Sequence, residues 1–192
     1  MSYFGPKIFI DLKRLSNNYK LLVKEIKDLS IMATVKANAY GHGAIEVSKT
    51  LEKEGVRYLA VFTIDEAIEL RKAGIKSDIF IYSKMDPKRI DEAQKNNLTL
   101  NVSSFEDLKT LDNFSGRIKG HLKFDTGMTR LGVPFDKAEE FLKKAKKISS
   151  LEIEGLYSHF ATADEGDLSY ATNQLKKFNK VLDFANHLKI KA

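Results

Sequence analysis

One lysine stands out by its setting. Lys36 closes the short apolar run I-M-A-T-V and opens the phrase K-A-N-A-Y-G-H-G, in which small and polar residues, Tyr40 and a glycine-bracketed turn follow at once. An amine presented at the mouth of a strand, partly shielded from water, has a lowered pKa and can condense with a carbonyl carbon as a Schiff base. Taken alone, a lysine after an apolar run reads as a solvated strand-end charge. Two further phrases offer chemistry. Lys123 lies at the end of the run Ile118–Phe124 and opens K-F-D-T-G-M-T-R-L-G, which delivers Asp125 and Arg130 in one loop. His159 lies in G-L-Y-S-H-F-A-T-A-D. Asp164 and Glu165, which follow it, receive no catalytic role.

These residues need strands that end where they stand. Apolar residues Leu12, Leu15, Tyr19, Leu22, Ile26 and Leu29 recur at three-four spacing, predicting a helix from Asp11 to about Leu29 with one buried face. Strands are expected at Ile31–Lys36, Arg57–Phe62, Ile79–Tyr82, Leu98–Val102, Ile118–Phe124 and Ile153 to about His159. Between them fall helices at about Ala44–Glu54, stopped by Gly55, from Ile64 to before Gly74, after Pro87, after a cap at Ser103 or Ser104, and over about Phe135–Lys147. A last helix, about Leu168–Leu188, places Ala171, Leu175, Phe178, Leu182 and Ala185 on one face. Such alternation means βαβ units and a parallel sheet. The pattern predicts an α/β fold, a (β/α)8 TIM-type barrel left incomplete at about six strand–helix units, since closure takes eight units in about 250 residues. In such barrels the chemistry sits at the C-terminal ends of the strands, where Lys36, Lys123 and His159 are all expected.

The chain has 192 residues, 43% hydrophobic and 30% charged, an ordinary globular composition. No apolar run approaches the roughly 20 residues that span a membrane, and the N-terminus lacks the two regions of a signal peptide. With no cysteine there is no disulfide framework or thiolate metal site. A cytoplasmic protein is expected, with no metal. The net charge of +6 rests on scattered lysines such as Lys143, Lys144, Lys146, Lys147, Lys176 and Lys177, which read as solvated helix faces rather than a nucleic-acid patch. No G-x-G-x-x-G follows the first strand, which weakens a dinucleotide reading.

The phrase Ala33–Gly43 resembles the cofactor-lysine motif of the alanine racemase family, and K-F-D-T-G-M-T-R-L-G is similar to a second motif of that family. The resemblance covers essentially the whole chain. It implies pyridoxal 5'-phosphate (PLP) bound as an aldimine on Lys36, which is also one of two catalytic bases. It implies that Tyr40 contacts the cofactor and that Arg130 lies beside the cofactor ring and the substrate carboxylate. Lys123 would be carbamylated, an anion that fixes the guanidinium. His159 would sit below the cofactor and orient a further arginine. The G-H-G turn is at most a weak phosphate signal. The family members are homodimers with an N-terminal barrel and a C-terminal β domain, and they interconvert L-alanine and D-alanine, supplying D-alanine for peptidoglycan. Residues 1–192 would be the partial barrel domain, an N-terminal piece of a longer protein. The second base, a tyrosine of the partner's β domain, has no counterpart here, nor has the arginine facing the pyridine nitrogen. The fragment alone is therefore expected to be inactive and to bind PLP weakly. Competing readings are a non-catalytic PLP-homeostasis barrel, which the fifth-strand phrase disfavours, a Schiff-base aldolase, whose lysine lies on a later strand, a racemase for another amino acid, and a structural module.

Overall fold

The computed structural model describes residues 5, 7–27 and 29–190, so Asp28, inside the expected first helix, lies outside them. The chain divides into two compact units, one through Phe80 and one from Ile81 onward.

The first unit opens with α1 (Leu12–Ile26), capped by the Asp11 carboxylate, which accepts the amides of Lys13 and Arg14 at 3.0 and 3.1 Å. The helix ends earlier than expected because Lys27, at φ 53°, leaves the helical region. Its apolar stripe is only half-buried, and Leu22 and Leu29, expected inside, are exposed. Then come β1 (Met32–Thr34), a single left-handed turn α2 (Lys36–Tyr40), α3 (Ala44–Lys53), β2 (Tyr58–Val61), α4 (Ile64–Lys72) and β3 (Asp78–Ile81). β1 pairs with β2 in parallel, Ala33 opposite Leu59 and Thr34 opposite Ala60. Leu59, Ala60 and Val61 are fully buried, as in a parallel strand covered on both faces. Thr63 and Glu66 form a reciprocal capping box that starts α4.

In the second unit, Pro87 starts a 3-10 turn that leads into α5 (Ile90–Lys95). There follow β4 (Leu98–Val102), α6 (Phe105–Asp112), β5 (Ile118–Asp125), β6 (Val133–Pro134), α7 (Ala138–Ala145), β7 (Leu151–Tyr157) and α8 (Ser169–His187). Ser104, not Ser103, caps α6, its hydroxyl accepting the Asp107 amide at 3.1 Å. β5 is the hub: it pairs in parallel with β4, Val102 opposite Leu122, and with β7, Lys123 opposite Tyr157. β6, which the sequence pattern did not anticipate, pairs with the end of β5, Phe124 opposite Val133. Period-two alternation sorts the side chains of β5. Leu122 and Phe124 are fully buried, and the Phe124 ring meets Phe141 of α7 edge-on at 5.9 Å. Lys119, His121 and Lys123 take the opposite face, with Thr99 and Asn101 of β4 and Glu154 and Tyr157 of β7. On α8 the buried positions are Ala171, Gln174, Val181 and Ala185. Leu175 and Leu182, expected inward, are 45% and 36% exposed.

Candidate active site

The first unit contributes Lys36 and Tyr40. Lys36 lies two residues beyond β1 rather than inside it; the intervening Val35 is buried and donates its amide to the Ala60 carbonyl at 2.8 Å. The next four residues, Ala37, Asn38, Ala39 and Tyr40, have φ of 52, 53, 51 and 54°. Left-handed backbone costs an L-residue roughly 1–2 kcal/mol, so such a turn persists only where its surroundings over-determine it. Here they do. Ala39 donates its amide to the Val35 carbonyl at 2.9 Å. The Asn38 carbonyl accepts the amides of Gly41 and Gly43, each at 3.0 Å. The Asn38 side chain accepts the Ala44 amide at 2.8 Å, at the start of α3. Glu66 reaches from α4 to accept the Ala37 amide at 2.6 Å. The other oxygen of Glu66 accepts the amides of Phe62 and Thr63 at 2.8 and 3.0 Å. Burial works against the Glu66 charge, but the amide donors outweigh it and hold the carboxyl below its usual range. Lys36, Ala37, Phe62, Thr63 and Glu66 line one open cleft, with the Lys36 Nζ 5.9 Å from the Phe62 ring centroid. Tyr40 ends the turn and is 62% exposed.

The second unit contributes the other three. Lys123 is buried on β5, its Nζ 5.1 Å from the centroid of the Tyr157 ring. Burial and then the nearby Arg130 charge push its pKa down, against the pull of Asp125. Tyr157 is fixed by donating its hydroxyl to the Asn101 side-chain Oδ1 at 2.9 Å, while the Asn101 side-chain Nδ2 donates to the Tyr82 and Ser83 carbonyls. Burial, with Tyr82 second, pushes the Tyr157 phenol far above its ordinary pKa, so it stays a neutral donor. Asp125 folds the D-T-G-M-T-R loop by accepting the amides of Gly127 and Thr129 at 2.8 and 3.0 Å. Arg130, at the far side of that loop, is exposed.

His159 is exposed and lies two residues past the end of β7. Its backbone is held by α8: the Gln174 amide donates to the His159 carbonyl at 3.0 Å, and the Gln174 oxygen accepts the Ala161 amide at 2.9 Å. Ser158 donates its hydroxyl to the Phe124 carbonyl at 2.8 Å, joining the end of β7 to the end of β5. Tyr170 of α8 donates to the Gly127 carbonyl at 2.7 Å, and a Cβ at Gly127 would lie 2.7 Å from that hydroxyl.

The Arg130 charge reaches Lys123 and helps to lower its pKa. Asn38, Glu66, Tyr170 and Gln174 are positions that the sequence reading passed over. A signal existed for Asn38, since asparagine tolerates left-handed backbone and bonds amides nearby. None existed for Gln174, one polar residue among several in the helix stretch T-N-Q-L-K-K. No helix among the described residues is long and apolar enough to cross a membrane, and no cluster of three or more His, Cys, Asp or Glu residues among them could hold a metal.

Parallel strands alternating with helices, and a lysine held at the head of a strained turn just past a strand, define an α/β-barrel domain with a presented amine. The chain matches the family described as alanine racemase, N-terminal domain, over residues 10–192, and it belongs to that family. It is 42% identical over 187 residues to an alanine racemase of Halothermothrix orenii, covering 94% of this chain and 49% of that protein. It is 40% identical over 183 residues to one from Methanococcus maripaludis, covering 90% and 48%. The chain spans about half the length of the curated relatives it matches. The crystal structure of alanine racemase from Bacillus anthracis with bound L-Ala-P superposes with a TM-score of 0.87 at 34% identity, covering 97% of this chain and 51% of that one. A histidine racemase from Leuconostoc mesenteroides reaches 0.82 at 26% identity, covering 88% and 47%. The expected incomplete TIM-type barrel is the fold these relatives share with the chain.

Proposed function

We propose that this chain is the partial barrel domain, residues 1–192, of a cytoplasmic, homodimeric racemase that interconverts L-alanine and D-alanine and supplies D-alanine for peptidoglycan. Lys36 would hold pyridoxal phosphate covalently. The residues fit the group: a primary amine on a rigid turn, beside an open cleft with an exposed aromatic ring. When bound, the cofactor delocalises the electron pair left when the α-hydrogen departs.

The chain's own residues supply the rest. The Lys36 amine would take or return the α-proton on its face of the substrate. Tyr40 contacts the cofactor. Arg130 orients it and binds the substrate carboxylate as a guanidinium fork. Lys123, as a carbamate, holds Arg130 in place. His159 orients rather than transfers protons. The 192-residue chain by itself would be inactive, because the resemblance assigns the opposite-face base to a tyrosine outside the matched span.

The observation that carries this reading is Lys36 at the head of four successive left-handed residues. Titration with pyridoxal phosphate followed by absorbance, then borohydride reduction and peptide mapping, tests it. A saturable band with label on Lys36, abolished in Lys36→Ala, is the expected result. Label spread over surface lysines would overturn it. The likeness to a histidine racemase supports a second reading, a different amino-acid substrate, which a panel of L-amino acids tested for D-product on the complete enzyme separates from the first.

A further inference from the structure

We infer that Glu66 is a positioning residue for Lys36, its carboxylate tying the first amide of the left-handed turn to the head of α4 and so fixing the backbone from which the amine is presented.

A capping box at the start of α4 needs one carboxylate oxygen, turned back to the Thr63 amide. That oxygen is in place, and it also accepts the Phe62 amide. The second oxygen is then free to remain in water. Instead it accepts the Ala37 amide at 2.6 Å, from a residue 29 positions away and immediately after Lys36. Ala37 is where the backbone turns left-handed. An alanine there has no side chain of its own to stabilise that conformation. An acceptor fixed from outside does so, and a charged one bonds an amide more strongly than a neutral one. Glu66 faces the amides of Ala37, Phe62 and Thr63 and the Thr63 hydroxyl, and it lines the same cleft as Lys36. A carboxylate in that place leaves both of its oxygens committed to backbone donors, so it orients Lys36 through the chain.

This rests on Lys36 as the cofactor lysine, and the test separates the two. Four forms of the chain are compared: unaltered, Glu66→Gln, Glu66→Asp and Thr63→Ala. Glu66→Gln turns an amide nitrogen toward one set of backbone donors. Glu66→Asp is too short to serve both. Thr63→Ala removes the hydroxyl half of the capping box and leaves the Ala37 bond intact. Three quantities are read: melting temperature, hydrogen exchange at the Ala37 amide, and the rate of covalent attachment of pyridoxal phosphate at Lys36, trapped by borohydride.

Thr63→Ala should lower the melting temperature and leave Ala37 exchange unchanged. Both Glu66 variants should speed Ala37 exchange and slow attachment at Lys36, each by about tenfold for a lost charge-assisted bond. If the Glu66 variants lower only the melting temperature and leave Ala37 exchange as it is in the unaltered chain, the positioning role is overturned. If the unaltered chain never attaches the cofactor at Lys36, the cofactor reading fails, and Ala37 exchange still decides whether Glu66 holds the turn.

Discussion

Lys123 is a buried cation near a second cation, Arg130, and Asp125 opposes their repulsion. Burial and the Arg130 charge both favour the neutral amine, so more of it is unprotonated at neutral pH than for a lysine in water. A neutral amine is what carbon dioxide needs: nitrogen attacks carbon, a proton leaves to solvent, and an anion replaces the cation. The product attracts Arg130 where the lysine repelled it. Carbon-13 NMR in labelled bicarbonate should therefore show one protected carbamate carbon. It should vanish in Lys123→Gln and weaken in Arg130→Gln, which removes the cation that favours the anion. A spectrum of the unaltered chain without that signal would sink the carbamate. The neutral Tyr157 phenol beside Lys123 adds no competing negative charge, which leaves the site electrostatically open for one.

At the scale of the element, α8 shows how a periodic pattern can be read one residue out of phase. Positions 171, 175, 178, 182 and 185 and positions 171, 174, 178, 181 and 185 both follow three-four spacing. The chain uses the second set. Gln174 is buried because it serves three groups at once: the His159 carbonyl, the Ala161 amide and the Thr126 hydroxyl. The phase error has a measurable consequence. Val181→Ala, at a fully buried position, should cost about 2 kcal/mol in chemical denaturation, from lost methyl burial plus the cavity left. Leu175→Ala, at a site 45% exposed, should cost under about 1 kcal/mol. Equal losses would mean that the helix is rotated from this placement.

Elsewhere the elements were legible because their signals are local. Leu98–Val102 falls where apolar alternation and flanking polar residues place it, and Gly55 and Gly74 end helices as expected. The left-handed turn after Lys36 was not legible. None of its four residues is glycine, and part of what stabilises it comes from Glu66, far along the chain. β6 was missed because two residues carry no period. Lys36 was still identifiable as special from the words around it, although nothing in those words shows how its backbone is held.

Across the whole molecule, burial perturbs acids and bases alike, Arg71 and Tyr157 among them, and two pairs of groups bear on stability in different pH windows. In the first unit the pair is Glu52 and Glu66. Glu52 accepts the Lys76 and Ser77 amides and the Ser77 hydroxyl at 2.7, 2.6 and 2.8 Å. Burial opposes its charge, but those bonds and Arg71 outweigh it, and the pKa is lowered, as for Glu66. A lowered carboxyl pKa adds stability that is present above the ordinary value of about 4.3 and is lost as pH falls through the folded-state value. In the second unit the pair is His121 and Lys123. His121, beside Tyr157 and Glu154, is pushed down by burial, with Glu154 opposing. Lys123 is pushed down as well. The unfolded chain then binds these protons more readily than the folded one, so stability rises with pH, from His121 up to about 6.5 and from Lys123 up to about 10.4. Hydrogen exchange, corrected for intrinsic rates, should show protection in β4, β5 and β7 declining as pH falls below about 6.5. Protection in β1, β2 and α4 should hold until the carboxylates protonate, below about 4. Loss of both regions only below about 4 would contradict the His121 assignment, since the His121 contribution starts to fall below about 6.5.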